Sequence, residues 1–273
     1  MPQIWVRHSL GITMQLLPPQ LYRYRSVDGP DQARTQRIIE TGLHYFASPT
    51  SFNDPFDCRP NFALDSDENS VREYLYGMWA RRAPHMSEDA RKQEVDAILQ
   101  DPARDPRIPE NNMIFAAVYD SLVTARIGVL CLSEVKDSIL MWSHYADCHR
   151  GICLVYDTDN EFFVHAQPVQ YQRERPRVNP VIHSNEQMLD SAIFTKSEAW
   201  AYEKEWRIIH YQHGSGERQS PHACLKAIIV GLAMSGTDRR LVESWAKASP
   251  AKPAVIRTNL SPSEFSIVFP KAQ

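Results

Sequence analysis

Polar and aromatic side chains that could do chemistry are concentrated in three separate segments, residues 53–57, 142–145 and 203–207. The segments contribute carboxylates, an arginine, a histidine and flat aromatic rings. Carboxylates and histidine can exchange protons with a substrate, and rings can stack on a planar ligand. We therefore expect the three segments to meet at one polar site.

Residues 53–57 read Asn-Asp-Pro-Phe-Asp and predict a structured loop. Asn and Asp side chains bond to nearby backbone groups, and proline fixes one dihedral angle. We expect Phe52 and Phe56 to fix this loop to the core. Two interpretations stay open: a loop whose polar side chains are satisfied internally, or a rigid loop that presents Asp54 or Asp57 to a ligand.

The second segment contains Trp142, His144 and Tyr145 within a helical turn over residues 138–145. We expect Trp142 to pack in the core, because large aromatic side chains dominate burial. His144 can change protonation near neutral pH, and Tyr145 offers a flat ring. For these two residues packing and binding are left as equal interpretations.

Zinc is the alternative ligand for this region, because His144, Cys148, His149 and Cys153 lie within ten residues. Structural zinc sites bring their ligands in short spaced pairs, a spacing that these residues lack. Cys153 also falls inside a predicted strand. We therefore expect no metal site here.

The third segment, Glu-Lys-Glu-Trp-Arg, reads as an extended strand in which Glu203, Glu205 and Arg207 share one face. Two carboxylates this close can raise one another's pKa, and Arg207 supplies a compensating cation. Lys196 could join the same cluster. The alternative is an edge strand with solvated charges, which the flanking aromatic residues disfavour.

The composition is that of an ordinary globular protein, and the net charge is too small to attract nucleic acids or membranes in general. Hydrophobic residues make up 43% of the 273 residues, enough for a core, and the formal net charge is −3. General nucleic-acid binding is therefore not expected. No apolar run reaches the roughly 18–20 residues that span a bilayer, and the N-terminus lacks a secretory signal. Five cysteines without framework spacing indicate reduced thiols and a cytoplasmic location.

Apolar spacing predicts an α+β fold with a mixed or antiparallel central sheet of short strands. Predicted strands lie near residues 21–24, 43–47, 128–132, 151–156, 168–171, 206–211, 225–230, 254–258 and 265–269. Predicted helices lie near residues 32–41, 71–80, 88–99, 112–125, 138–145, 185–194 and 238–248. We interpret residues 1–273 as a single domain, with a helical insertion at about 66–126. Residues 224–273 form a strand-helix-strand-strand extension on the same core.

These motifs resemble a widespread bacterial family known as domain of unknown function 2971. The matching patterns are Tyr-x-Tyr at residues 22–24, Asn-Asp-Pro-Phe-Asp at 53–57, Met-Trp-Ser-His-Tyr at 141–145 with Arg-Gly-Ile-Cys at 150–153, and Tyr-Glu-Lys-Glu-Trp-Arg at 202–207. The resemblance extends from about residue 21 to 231. It supports the choice of site residues, and it brings no activity with it.

A more distant similarity connects the chain to ADP-ribosyltransferases. Their opening strand, helix ending in Gly and second strand are similar to residues 22–43, and their Glu-x-Glu strand is similar to residues 203–205. A clear Ser-Thr-Ser strand is missing, and the loop at residues 53–57 is foreign to that family. The similarity implies NAD as substrate and an ADP-ribosyltransferase-like fold, with the acceptor undetermined.

By this similarity each candidate residue receives a role. Glu205 would be the catalytic carboxylate and Glu203 would orient the acceptor, with Arg207 and His144 in the same catalytic group. The residues expected to bind the nucleotide-type ligand are Tyr22, Arg23, Tyr24, Asn53, Asp54, Asp57, Trp142, Tyr145 and Lys196.

Two other classes of function remain. A metal-dependent nuclease or phosphodiesterase could use Asp54, Asp57, Glu203 and Glu205, since carboxylates suit magnesium. A non-enzymatic ligand-sensing or interaction module would instead have a buried Asp57–Arg207 pair and no cleft. Ten glycines, none in a phosphate-cradling pattern, disfavour a Rossmann or Walker site.

Overall fold

The protein has an α+β fold built on a seven-stranded mixed sheet. The computed structural model describes residues 5–6, 15–112, 126–211 and 214–270, together with Ala117, Tyr119 and Val123. The strands are β1 (Trp5–Val6), β2 (Gln15–Leu16), β3 (Gln20–Arg25), β4 (Leu43–Phe46), β5 (Asn61–Phe62), β6 (Ile127–Ser133), β7 (Ile152–Asp157), β8 (Gln167–Pro168), β9 (Gln170–Gln172), β10 (Arg177–Val178), β11 (Thr195–Ser197), β12 (Glu205–Tyr211), β13 (Gly216–Gln219), β14 (Leu225–Val230), β15 (Ala254–Arg257), β16 (Asn259–Leu260) and β17 (Ile267–Val268). The helices discussed below are α1 (Gln32–Thr41), α2 (Glu68–Arg82), α3 (Glu88–Gln100), α4 (Ile139–Tyr145), α5 (Asn185–Ile193) and α6 (Gly236–Ala248).

The central sheet has the order β15-β14-β7-β3-β6-β12-β8. Only the β14–β15 pair is parallel, and the other neighbours run antiparallel. Helix α6 lies between β14 and β15 in the chain, because the connection between two parallel strands requires a crossover. Of the three candidate segments, residues 203–207 lead into β12 of this sheet, whereas residues 53–57 lie in a loop and residues 142–145 lie in α4.

Both faces of the sheet are buried, which explains why β6, β7 and β14 are apolar at almost every position. Leu154 and Ile228 belong to one core cluster, and Val155 and Ile229 to the cluster on the opposite face. The residues alternate because successive side chains of a strand point to opposite faces. This alternation confirms the predicted β7 pattern.

Helix α1 agrees with the prediction from its first residue to its last. Ile38 and Ile39 are buried, and Gly42 ends the helix in the left-handed conformation at φ 70°. The Gly42 N–H donates to the Ile38 carbonyl at 3.0 Å. A Cβ at residue 42 would also meet the Ser220 carbonyl oxygen at 2.9 Å, so the turn favours glycine for two reasons.

Helices α2 and α3 lie where the sequence predicts helices, and they pack on each other through Val71, Leu75, Val95, Ile98 and Leu99. Their N-termini are capped by Asp67 and Ser87 side chains. The helix predicted near residues 112–125 lies largely outside the described residues. The division of the chain into one domain with an insertion and an extension remains a prediction.

Two predicted strands differ from the structure. The strand predicted at residues 168–171 is two strands, because β8 pairs with β12 while β9 pairs with β11 in a separate sheet. The strand predicted at 265–269 is shortened to β17, which pairs with β16. None of the helices within the described ranges has both the length and the apolar character needed to cross a membrane.

Candidate functional site

A cavity of about 220 Å³ lies beside strands β3 and β6 of the central sheet. Strands β3 and β6 supply part of its wall, and Tyr145 from α4 lies at its side. The nine predicted site residues that line it are Tyr22, Arg23, Tyr24, Asn53, Asp57, Tyr145, Lys196, Glu203 and Glu205. The three candidate segments therefore meet, as the sequence predicts.

Arg207 is the centre of a buried ion-pair network beside this cavity. It lies in β12 with its side chain 0% exposed, and its guanidinium donates to Asp57 Oδ2 at 2.7 Å. Its Nε donates to Glu205 Oε1 at 2.8 Å, and a further donor reaches the Ile193 carbonyl at 2.5 Å. Arg207 thus fixes the 53–57 loop to β12 across 150 residues of sequence.

Lys196 extends the network toward the cavity. Its Nζ lies 2.5 Å from Glu203 Oε2, 3.0 Å from Glu205 Oε2 and 3.6 Å from Asp57 Oδ2. Three carboxylates therefore surround one ammonium group, and a second cation, Arg207, bonds two of them. Such compensation is needed because burial of an unpaired carboxylate is costly.

The pKa values of the two glutamate carboxyls are shifted in opposite directions, although the residues are only two positions apart. Burial acts to raise the pKa of the Glu205 carboxyl, but Arg207 and Lys196 outweigh it and lower that pKa to about 2. Burial raises the pKa of the Glu203 carboxyl, with Glu205 adding to the effect and Lys196 opposing it. Glu205 is hence a fixed anion, whereas Glu203 is the carboxyl able to exchange a proton nearer neutral pH.

Glu203 reaches the cavity by a route that the sequence did not predict. It ends a 3-10 helix over Glu198–Glu203, and Lys204 follows in the left-handed conformation at φ 42°. The prediction that Glu203 lies on the strand with Glu205 is therefore wrong. The left-handed turn nevertheless directs both carboxylates to Lys196.

Tyr145 completes the surroundings of Glu203. Its hydroxyl donates to Glu203 Oε1 at 2.6 Å, and the Asn53 side chain reaches that hydroxyl at 3.5 Å. Tyr145 ends α4, whose first turn is capped by the Ser138 side chain. Glu203 thus accepts one bond from a hydroxyl and one from an ammonium group.

Arg23 of β3 places a positive charge on the wall of the cavity. The Arg23 guanidinium donates to His44 Nδ1 at 3.2 Å and to the Tyr45 carbonyl at 3.3 Å, and both partners are neutral. Within the part of the chain that the structure describes, no carboxylate forms an ion pair with Arg23. Burial and the neighbouring Arg25 lower the pKa of Arg23 to about 10, so it remains a cation at neutral pH.

His44 is fixed in one tautomer by its two partners. Arginine can only donate, so His44 Nδ1 must accept and Nε2–H must donate to Ser220 Oγ, 3.0 Å away. Burial lowers the pKa of His44 well below its usual value, with Arg23 adding to the effect. The sequence patterns did not single out this residue, although a histidine at an inward position of a predicted strand could have indicated it.

Four predicted site residues do not line the cavity. Trp142 is core: its indole N–H donates to the Lys136 carbonyl at 2.9 Å and its ring packs edge-on against Tyr24. His144 is exposed, 3.0 Å from the Tyr202 hydroxyl. Asp54 accepts the Phe56 N–H at 2.8 Å and shapes a turn, and Arg207 lies behind the carboxylates.

The expectation that Phe56 fixes its loop to the core is wrong, because its side chain is 63% exposed. Phe52 does pack inward, with its ring 5.3 Å from the Arg207 guanidinium. The loop is held instead by the Asp57 ion pair and by the Asp54 turn. Polar contacts fix this loop more than its aromatic residues do.

Metal binding receives no support from the geometry of the described residues. They contain no group of three or more His, Cys, Asp or Glu side chains placed to hold an ion. Of the two cysteines considered for zinc, Cys153 is buried in β7 whereas Cys148 is exposed. Among the carboxylates, the Lys196 ammonium occupies the position that a shared divalent ion would need.

The fold and site define an α+β protein with a buried ion-pair network beside a polar cavity. Residues 141–208 match the model of a family described as "Protein of unknown function (DUF2971)". The match includes Tyr145, Lys196, Glu203 and Arg207, and it leaves out the loop that carries Asp57. No curated protein and no solved structure matches the chain. These comparisons support the family resemblance over that segment, and they assign no activity.

Proposed function

We propose that the cavity binds NAD and that the protein breaks the bond between nicotinamide and ribose, transferring ADP-ribose to an acceptor or to water. The observation that carries this proposal is the pairing of two unlike groups in one cavity. Arg23 supplies a cation that has no carboxylate partner among the described residues, and Glu203 supplies a carboxyl with a raised pKa.

Arg23 supports the binding of an anionic ligand. A guanidinium held by two neutral groups keeps donors and charge available for a phosphate. NAD carries a pyrophosphate between its two ribose rings, so Arg23 would hold that part. Its fixed contacts with His44 and the Tyr45 carbonyl mean that little rotational freedom is lost on binding.

Glu203 and Tyr145 support the cleavage step. As the bond breaks, nicotinamide leaves with the bonding electron pair and positive charge develops on the ribose. The ionised Glu203 carboxylate stabilises that charge. The oxygen of an acceptor hydroxyl or of water then bonds to the ribose carbon, and its proton passes to Glu203.

This assignment exchanges the roles expected for the two glutamates. Both Glu205 oxygens accept bonds from Arg207, and one also accepts from Lys196, so Glu205 is placed to position the other groups. Lys196 joins the two glutamates and orients Glu203. All five cysteines are free, which agrees with the reducing cytoplasm in which we expect the reaction to occur.

The test is nicotinamide release from NAD by the purified protein and by matched variants. Glu203→Gln should lower kcat about 100-fold or more, measured on protein that remains folded, as expected when a proton-transfer group is lost. Arg23→Gln should raise KM about tenfold, and the surface control Arg37→Gln should leave both constants unchanged. NAD that neither binds nor is cleaved would overturn the proposal.

A non-enzymatic ligand-binding module is the second candidate. The observation that favours it is the buried Asp57–Arg207 pair, which that interpretation predicted, although the cavity beside it was not expected. It would bind a nucleotide without turnover. The Glu203→Gln variant would then bind that nucleotide within about twofold of the wild-type affinity.

A further inference from the structure

A second groove, of about 290 Å³, lies on the far side of the 53–57 loop. Phe56 forms one side of it, and the segment from Gln172 to Pro176 lies opposite. Lys196 lines both this groove and the main cavity. The two spaces are thus neighbours that share one side chain.

Phe56 is held in an exposed position by its own loop. Its backbone N–H donates to Asp54 Oδ1 at 2.8 Å, and its carbonyl accepts the Arg59 N–H at 3.3 Å. The next residue, Asp57, is fixed by its ion pair with Arg207. Burying a phenyl ring is favourable, yet this ring is 63% exposed on a loop that is fixed on both sides. Such a ring offers a ready surface for stacking.

Arginine side chains lie in the same groove. Arg175 is oriented by bonds from Nε to the Arg59 carbonyl and from a terminal nitrogen to the Pro60 carbonyl, both at 2.9 Å. Arg173 is exposed and has no hydrogen-bond or ion-pair partner among the residues that the structure describes. Glu174 is the one carboxylate of this lining segment, so two arginines face one acid.

We propose that this groove is a second binding site, which takes a ligand with a planar base and a phosphate, such as a nucleoside monophosphate. The base stacks on Phe56, and the phosphate pairs with Arg173 and with the free donors of Arg175. A ring and guanidinium groups in one groove are the combination that binds nucleotides without reading their sequence. This site is distinct from the cavity proposed to bind NAD and does not depend on it.

Contact between the two sites runs through Lys196. A ligand in the groove lies one side chain away from Glu203, because Lys196 Nζ bonds that carboxylate at 2.5 Å. The groove is therefore placed to hold a molecule beside the main cavity while the cavity itself is occupied.

The experiment is isothermal titration calorimetry, which measures the affinity of the full chain for AMP, adenosine, inorganic phosphate and a single-stranded hexadeoxynucleotide. AMP should bind more tightly than adenosine or phosphate alone. Phe56→Ala and Arg173→Ala should each weaken AMP binding about tenfold, since the first removes one base–aromatic contact and the second removes a charge-assisted bond to the phosphate. Ile182→Ala, which removes an equally exposed apolar side chain elsewhere, should have no effect.

The results of this experiment can be interpreted independently of the test of NAD cleavage. AMP binding that both variants weaken supports the groove, and comparison with the hexanucleotide then tells whether a free nucleotide or a nucleic-acid strand is the better ligand. AMP binding that neither variant changes, or the absence of binding at millimolar AMP, overturns the inference. Failure of NAD cleavage with intact AMP binding would overturn only the proposed function.

Discussion

At the scale of residues, the main finding is that Glu203 and Glu205 have different roles although both line one cavity. Glu205 bonds Arg207 and Lys196 and is an anion at any ordinary pH. Glu203 bonds Lys196 and Tyr145 and is the carboxyl with a raised pKa. The surroundings of each side chain, rather than its type, decide its chemistry.

Glu205→Gln is expected to destabilise the fold, in contrast to the catalytic role that the sequence similarity implies for Glu205. The substitution leaves Arg207 and Lys196 with one fewer buried anion, a change that costs about 3–5 kcal/mol. Urea unfolding measures it. An unchanged free energy of unfolding would contradict the structural role of Glu205.

The lowered pKa of Glu205 also predicts a pH dependence of stability. Its folded value of about 2 lies below the ordinary 4.5, so its contribution is fully present above pH 4.5 and is lost as pH falls toward 2. Unfolding at a series of pH values should show this loss in the wild type. Glu205→Gln should show a smaller loss over the same window.

Tyr145→Phe tests the control of the Glu203 pKa. Removing the hydroxyl removes a bond that favours the ionised carboxylate, so the pKa of Glu203 should rise further. The acid limb of NAD turnover should then move about one pH unit upward, the size of one bond to a charged group. Tyr202→Phe, which alters only a contact with exposed His144, should leave the limb in place.

At the scale of elements, the junction between the 3-10 helix and β12 places both glutamates. Lys204 adopts φ 42° there, and its carbonyl accepts the Glu134 N–H at 3.0 Å. Without this left-handed residue, alternation along a strand would have governed the positions of Glu203 and Glu205. A single backbone conformation therefore brings the carboxylates to Lys196.

Lys204→Val should destabilise the protein by about 1–2 kcal/mol, because the left-handed region disfavours a side chain branched at Cβ. It should also lower turnover by displacing Glu203. Lys204→Gly removes the same charge but accepts the conformation, so it serves as the control. Equal stability of the two variants in urea would contradict this account of the turn.

At the scale of the whole molecule, the Asp57–Arg207 ion pair joins the loop before β5 to the strand β12. Asp57→Asn should destabilise the fold by about 3–5 kcal/mol, since it leaves a buried guanidinium with less compensation. Glu217→Gln breaks an exposed pair with Arg37 over a similar sequence separation and should cost less than about 1 kcal/mol. Urea unfolding of both variants checks the contrast, and similar losses would refute it.

Sequence patterns predicted most of the elements and part of the candidate site. Runs and spacing of apolar and aromatic residues predicted β3, β6, β7, β14 and most helices, because burial favours such residues locally. Nine of the predicted site residues line the cavity. Local clusters of polar and aromatic residues, together with the family resemblance, indicated them without knowledge of the fold.

Only the tertiary structure decided the electrostatics and the orientation of these residues. The pairing of Asp57 with Arg207, the position of Lys196 among three carboxylates and the partnership of Arg23 with His44 depend on contacts between distant segments. The exposure of Phe56 and the turn at Lys204 follow from how the chain is anchored on both sides. A sequence period reports which residues are buried, but a pKa depends on the distance to every neighbouring charge, and the fold alone sets those distances.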